Sequence, residues 1–223
     1  MNFPLDERLF PLIANSGAEE RGFERWHDTA AEQEDPAFAD TMRALVGDSK
    51  AKALLSRVFG NSPFLTHCCV NEPAFLCRLL DIGPEQAYAE LTAELAAQAG
   101  GETDMARLMA ALRIAKRRTA LLVALADIAG IWPLERVTET LADFAEAATR
   151  HSLRFLLRRE AGKGEFTLPH PEDPERDSGV VVLGMGKFGA RELNYSSDID
   201  LIVFYDHEAL EYTGRRSLPE CMI

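Results

Sequence analysis

The chain has 223 residues, 47% hydrophobic and 27% charged, proportions ordinary for a soluble globular protein with a sizeable core in one large or two modest domains. Its 36 acidic against 24 basic residues give a net charge of −12, which repels a phosphate backbone and argues against a broad nucleic-acid or anionic-membrane surface. The opening MNFPLDERLF has neither a basic leader nor an apolar stretch of signal length, and no run approaches the roughly 18 apolar residues of a membrane span, so a cytoplasmic protein is expected.

From about Pro36 to Ala161 apolar residues recur three and four apart, with breaks at Gly or Pro, which predicts helices. SPFLTHCCVNEPAFLCRLL reads as a capped helix, a turn at Asn71 to Pro73 and a second short helix. It contains Cys68, Cys69 and Cys77, which with Cys221 form no Cys-x-x-Cys pair and are expected as reduced thiols. His67 beside two adjacent cysteines lacks the spaced pairs that zinc prefers. The next helix places Met105, Leu108, Leu112, Ala115 and Leu122 along one side and ends near Gly130, with Lys116, Arg117 and Arg118 expected on a solvated face. A long helix then starts at Pro133 and runs to Gly162. The segment KGEFTLPHPEDPERDSG breaks the helical period with 3 prolines and 5 acids against 2 bases, and reads as a linker.

Beyond the linker, VVVLG and IDLIVFY are β-branched runs of strand length, apolar enough to be buried on both faces. Between them, Gly184-Met185-Gly186-Lys187-Phe188-Gly189 matches the dinucleotide pattern G-x-G-x-x-G. Only the 8 residues from Ala190 to Ser197 remain before Asp198, whereas a parallel crossover needs about a dozen or more. A P-loop fails as well, because Met185 stands where its lysine belongs. If the chain instead turns at the glycines and returns antiparallel, the turn amides approach Asp198 and Asp200. Two carboxylates two apart on a strand share a face and suit a divalent cation together with substrate phosphates. Ser196 and Ser197 add hydroxyls and Lys187 a positive charge, so the parts are those of a metal-dependent nucleotidyl-transfer site. Glycine turns and strand-flanking aspartates also occur as plain connections, and an Asp-Ile-Asp at the head of a buried strand is what favours the metal.

The spacing of the glycine turn from Asp-apolar-Asp resembles the DNA polymerase beta nucleotidyltransferase superfamily. GMGKFGARELNYSSDIDLIVF is similar more narrowly to the glutamine synthetase adenylyltransferase/adenylyl-removing enzymes, and SPFLTHCCVNEPAFL and LRIAKRRTALLVALADIAGIWPLERVT resemble their helical amino-terminal region, so the likeness covers most of residues 55–206. The resemblance implies an α+β chain: a helical region over 1–133, then over 134–223 a long helix, the linker and the first two strands of a nucleotidyltransferase domain with an incomplete mixed sheet. It implies Mg²⁺ on Asp198 and Asp200, a phosphate-side turn of Gly184, Gly186, Lys187 and Gly189, and neighbouring donors on Ser196 and Ser197. NYSSDIDL looks like the adenylyl-removing copy, in which inorganic phosphate attacks AMP on a glutamine synthetase tyrosine and ADP forms; the family's partners are glutamine synthetase, the PII signalling protein and ADP or ATP. The superfamily's third carboxylate has no convincing counterpart, since Asp206 and Glu208 follow the far end of the second strand. With the tail from about Glu211 losing the family's look, a truncated product is expected, and a non-catalytic helical module binding glutamine synthetase or PII is the alternative.

Overall fold

The computed structural model describes residues 3, 8, 10–209, 212–215, 217 and 220; Cys221 lies outside them. The chain divides into two compact units, one of residues 1–93 and 114–137, the other of residues 94–113 and 138–223.

The first unit is helical. It holds α1 (Ser16–Ala31), α2 (Pro36–Gly47), α3 (Ser49–Asn61), α4 (Pro63–Asn71) and α5 (Pro73–Ile82), with parts of α6 (Pro84–Ala99) and α7 (Met105–Ile128). Local chemistry sets these boundaries. The side chains of Asn15, Asp35, Asp48 and Ser62 accept hydrogen bonds from first-turn amides of α1 to α4, and α2, α4 and α5 each begin on a proline, whose missing N–H costs nothing there. Met42, Leu54, Leu55, Phe59, Leu76, Leu79, Leu80, Leu121 and Leu122 are buried in the core, as is Trp26, whose indole N–H donates to the Met42 carbonyl at 3.1 Å. The predicted stripe of α7 holds at Leu108, Ala115 and Leu122, while Met105, on the first turn, is exposed.

Arg117 and Arg118 depart from the expected solvated face. Glu72, buried at the junction of α4 and α5, accepts from Nε of both arginines at 2.8 Å and also from Nη2 of Arg117. A buried carboxylate needs charged donors, and at this point α7 is being covered by the bundle, so its basic run is turned to that purpose; Lys116 alone stays exposed.

Cys68 and Cys69 are buried and Cys77 is half-buried, all three as free thiols. Burial pushes Cys68 and Cys77 up to about 11 and Cys69 higher still. Because only the thiolate reacts, iodoacetamide at pH 8 is expected to leave these thiols largely unmodified in the folded chain and to alkylate them after unfolding in urea. Reactivity should rise only as the pH climbs toward 11. Rapid modification of Cys68 or Cys69 at pH 8 in the native chain would contradict the burial.

The second unit is built on α8 (Leu134–Gly162), which ends at Gly162 as its sequence predicts. The linker is tied back to this helix by Arg154, whose guanidinium donates to Glu175 at 2.6 Å and to Asp173 at 3.0 Å. Leu157 of α8, Phe166 of the linker and Val180 form a small buried cluster. Then follow β1 (Val180–Gly184), the single turn α9 (Gly186–Gly189) and β2 (Leu201–Tyr205). The two strands pair antiparallel, Val180 opposite Tyr205 and Gly184 opposite Leu201. The chain is therefore mainly α-helical with a small antiparallel sheet, an α+β arrangement.

The strands are not buried on both faces. Every residue of β2 is exposed, and in β1 only Val180 is buried. A two-stranded ribbon can cover one face at most with what packs beneath it, and among the described residues no further strand pairs with either edge. No helix among the described residues is long and apolar enough to cross a membrane.

A glycine turn against two aspartates

The antiparallel return brings the head of β2 beside the end of β1. The Met185 amide donates to the Asp200 carbonyl at 2.9 Å, continuing the ladder one step past Gly184 and Leu201, while at the other end the Asp206 amide donates to the Gly179 carbonyl at 2.7 Å. Asp198 and Asp200 therefore precede β2 rather than opening it, at the glycine end of the ribbon, and Asp206 lies at the opposite end.

The glycines are required by close approach. A Cβ on Gly189 would sit 2.3 Å from the Gly184 carbonyl oxygen, and a Cβ on Gly184 would sit 2.6 Å from the Phe188 ring. Gly186 has open space around it but a φ of +54°, which L-residues rarely adopt. With the turn so tight, α9 is closed by the Gly189 amide on the Met185 carbonyl at 3.1 Å and the Ala190 amide on the Gly186 carbonyl at 3.0 Å. Lys187 is exposed on it.

The segment from Ala190 to Ser197 carries the rest of the predicted site. Leu193 is buried and anchors it, and Ser197 donates its hydroxyl to the Asn194 side chain and its amide to the Asn194 carbonyl at 3.2 Å. Ser196 is exposed, as are both aspartates. The charges on Asp198 and Asp200 thus keep solvent contact, so the cost of burial does not by itself demand a cation. Carboxylates are hard oxygen ligands of the kind Mg²⁺ uses, one or two at a time with waters and substrate phosphates, so Asp198 and Asp200 are the residues that could hold such an ion. Among the described residues no group of three His, Cys, Asp or Glu side chains is arranged to hold a metal.

A residue outside the motif reading also shapes the site. Arg191, just after α9, donates to Asp143 and, at 3.5 Å, to Glu146, both on α8. Beside it an open cleft of about 500 Å³ lies between α8 and β1, lined by Glu146, Arg150, Val182, Gly184, Phe188 and Arg191 among others. The partners stand more than 40 residues apart in the chain, and no local spacing signals such a contact.

A helical body followed by an antiparallel strand pair, with a glycine turn set against two aspartates, defines an α+β protein. Within that class, the chain belongs to the glutamate-ammonia ligase adenylyltransferase family, whose sequence profile matches residues 52–221. The match runs to residue 221 and so includes the tail beyond Glu211, contrary to the expectation that the likeness fades there. The bifunctional glutamine synthetase adenylyltransferase/adenylyl-removing enzyme of Bradyrhizobium diazoefficiens is 44% identical over 199 residues, covering 89% of this chain and 20% of that protein. Its counterpart in Rhodopseudomonas palustris is 44% identical over 196 residues, 83% of this chain and 19% of that one. The Brucella suis protein of the same description is 45% identical over 165 residues, 73% and 17% respectively. The chain spans about a fifth of the length of these curated relatives.

Proposed function

We propose that residues 134–223 open a nucleotidyltransferase domain of the polymerase-beta type, and that the chain takes part in removing AMP from an adenylylated tyrosine of glutamine synthetase. The observation that carries this reading is the Met185–Asp200 hydrogen bond, which sets the glycine turn against the aspartate pair in a family whose relatives are named for this chemistry. Asp198 and Asp200 would hold Mg²⁺, which when bound supplies positive charge to the phosphoryl oxygens.

In the proposed reaction an oxygen of inorganic phosphate forms a bond to the AMP phosphorus and the bond from phosphorus to the tyrosine oxygen breaks. The phenolate takes up a proton and ADP leaves. The chain's own residues orient the phosphates. In this reading the amides of the glycine turn and the exposed Lys187 would meet the phosphates, Gly184, Gly186 and Gly189 would let the backbone come close, and the exposed Ser196 would offer a hydroxyl. Ser197, engaged with Asn194, holds the turn. A net charge of −12 gives the surface no general affinity for phosphate, which leaves a local cation to supply it. Glutamine synthetase is the polypeptide substrate in this reading, a PII protein the regulator, and the cytoplasm the place of action.

Thermal unfolding with ligands tests the nucleotide part. Mg²⁺ with ADP or ATP is expected to raise the unfolding midpoint, by an amount set by RT ln(1 + [L]/Kd), and NAD is expected to leave it unchanged. A Mg²⁺-independent rise with NAD would restore the dinucleotide alternative. No response to any nucleotide, with glutamine synthetase still bound, would favour a non-catalytic helical binding module.

A further inference from the structure

We propose that Arg191 is a positioning residue for the Asp198/Asp200 pair, clamping the segment that carries them onto α8; the inference rests on the functional reading of that pair given above. Arg191 is one of two non-glycine residues with positive φ among the described residues, at φ +60°. A long side chain gains nothing from that backbone region, and steric contact between Cβ and the backbone disfavours it. The contacts of the guanidinium supply the compensation.

Asp143 and Glu146 lie three residues apart and so on one face of α8, and the fork of Arg191 spans both, one nitrogen to each carboxylate. The hydrogen bond to Asp143 is also the main reason the guanidinium holds its proton more firmly than usual. On the backbone side, the Arg191 amide donates to the Phe188 carbonyl at 3.1 Å and the next amide, of Glu192, to the Lys187 carbonyl at 2.8 Å. The ties of the segment between α9 and β2 thus include the Arg191 side chain on α8, the buried Leu193 and, at the strand end, the Asp200 carbonyl on the Met185 amide. Loss of the first removes the two ion pairs that join the start of this stretch to α8.

The three side chains are one-third to one-half exposed, and ion pairs of that kind contribute little to global stability, so the effect is to be read locally. Hydrogen exchange of residues 190–200 and Mn²⁺ affinity by electron paramagnetic resonance, both on the 223-residue chain, give two independent readouts. Arg191→Asn separates the side chain from the backbone, because Asn tolerates positive φ better than Arg. A pure backbone role predicts slower exchange in this variant. The clamp predicts exchange faster by about threefold and Mn²⁺ binding weaker by a similar factor, with Arg191→Lys in between because an ammonium offers a point charge in place of the fork. Exchange unchanged or slowed in Arg191→Asn would overturn the clamp. Faster exchange with unchanged Mn²⁺ affinity would reduce Arg191 to a structural contact and overturn the positioning role. Mn²⁺ binding that is absent in the parent chain, or untouched by Asp198→Asn, would instead bring down the metal reading of the pair, with the exchange result still deciding whether the clamp exists.

Discussion

Asp198→Asn and Asp200→Asn are each expected to lower adenylyl removal by about a hundredfold or more, with the fold left intact. Both side chains are exposed, and among the described residues neither enters an ion pair, so the isosteric change removes a negative charge without leaving a buried group unsatisfied. Surface changes of this kind typically alter stability by about 0.5 kcal/mol or less. The catalytic loss is of a different order. Phosphoryl chemistry rests on electrostatic stabilisation and positioning, and removing one such contribution typically costs a hundredfold to a thousandfold, about 2.7–4 kcal/mol. The measurement is ADP release from adenylylated glutamine synthetase by a chimera in which this chain replaces the matching segment of the full-length Bradyrhizobium diazoefficiens relative, together with the unfolding midpoint of each variant. Parental rates in both variants would end the assignment of the pair as metal ligands.

Gly189→Ala is expected to be the most damaging small substitution in the turn, destabilising it by about 1–3 kcal/mol through overpacking. The added methyl would meet the Gly184 carbonyl oxygen at 2.3 Å and its carbon at 3.0 Å. Both atoms belong to the backbone at the end of β1 and cannot rotate aside, so the strand end or α9 must move. Gly184→Ala also meets an obstacle, but it is the Phe188 ring, a side chain that can turn. At Gly186 space is open and only the positive φ opposes a side chain, at a cost of about 1 kcal/mol. The expected order of damage is therefore Gly189, then Gly184 and Gly186. Amide exchange across β1 and β2 should report it, because the disturbance is confined to the ribbon while the helices hold their own cores. A Gly189→Ala variant with native exchange at Gly184 and Met185 would show that the turn is looser than its contacts require.

The helical body was open to sequence reading because its signals are local. Ser62 before Pro63, Asn71-Glu72-Pro73 between two apolar runs, and the long amphipathic run ending at Gly162 each specify a boundary through caps, proline geometry and the 3.6-residue period. The antiparallel return was also determined there, since the 8 residues between Gly189 and Asp198 are too few for a parallel crossover. So was the meeting of the glycine turn with the aspartates, which follows from that return.

Composition was silent where a residue's role depends on what the rest of the chain brings to it. Arg117 and Arg118 read as a solvated face because their neighbours in sequence are polar or small, and only the packing of α7 places the buried Glu72 against them. The apolar runs of β1 and β2 read as doubly buried, yet hydrophobicity states only what a strand can tolerate, and the pairing decides what covers it. Arg191 has no motif at all. Its partners on α8 lie 48 and 45 residues earlier, and contacts of that separation are written by the path of the backbone. What the sequence by itself determined was the helices, the antiparallel return and the candidate site's residue types, because each follows from covalent geometry and short-range spacing; burial, ion-pair partners and the anchoring of the turn were decided only by the tertiary structure, because they depend on surfaces that meet only once the chain has folded.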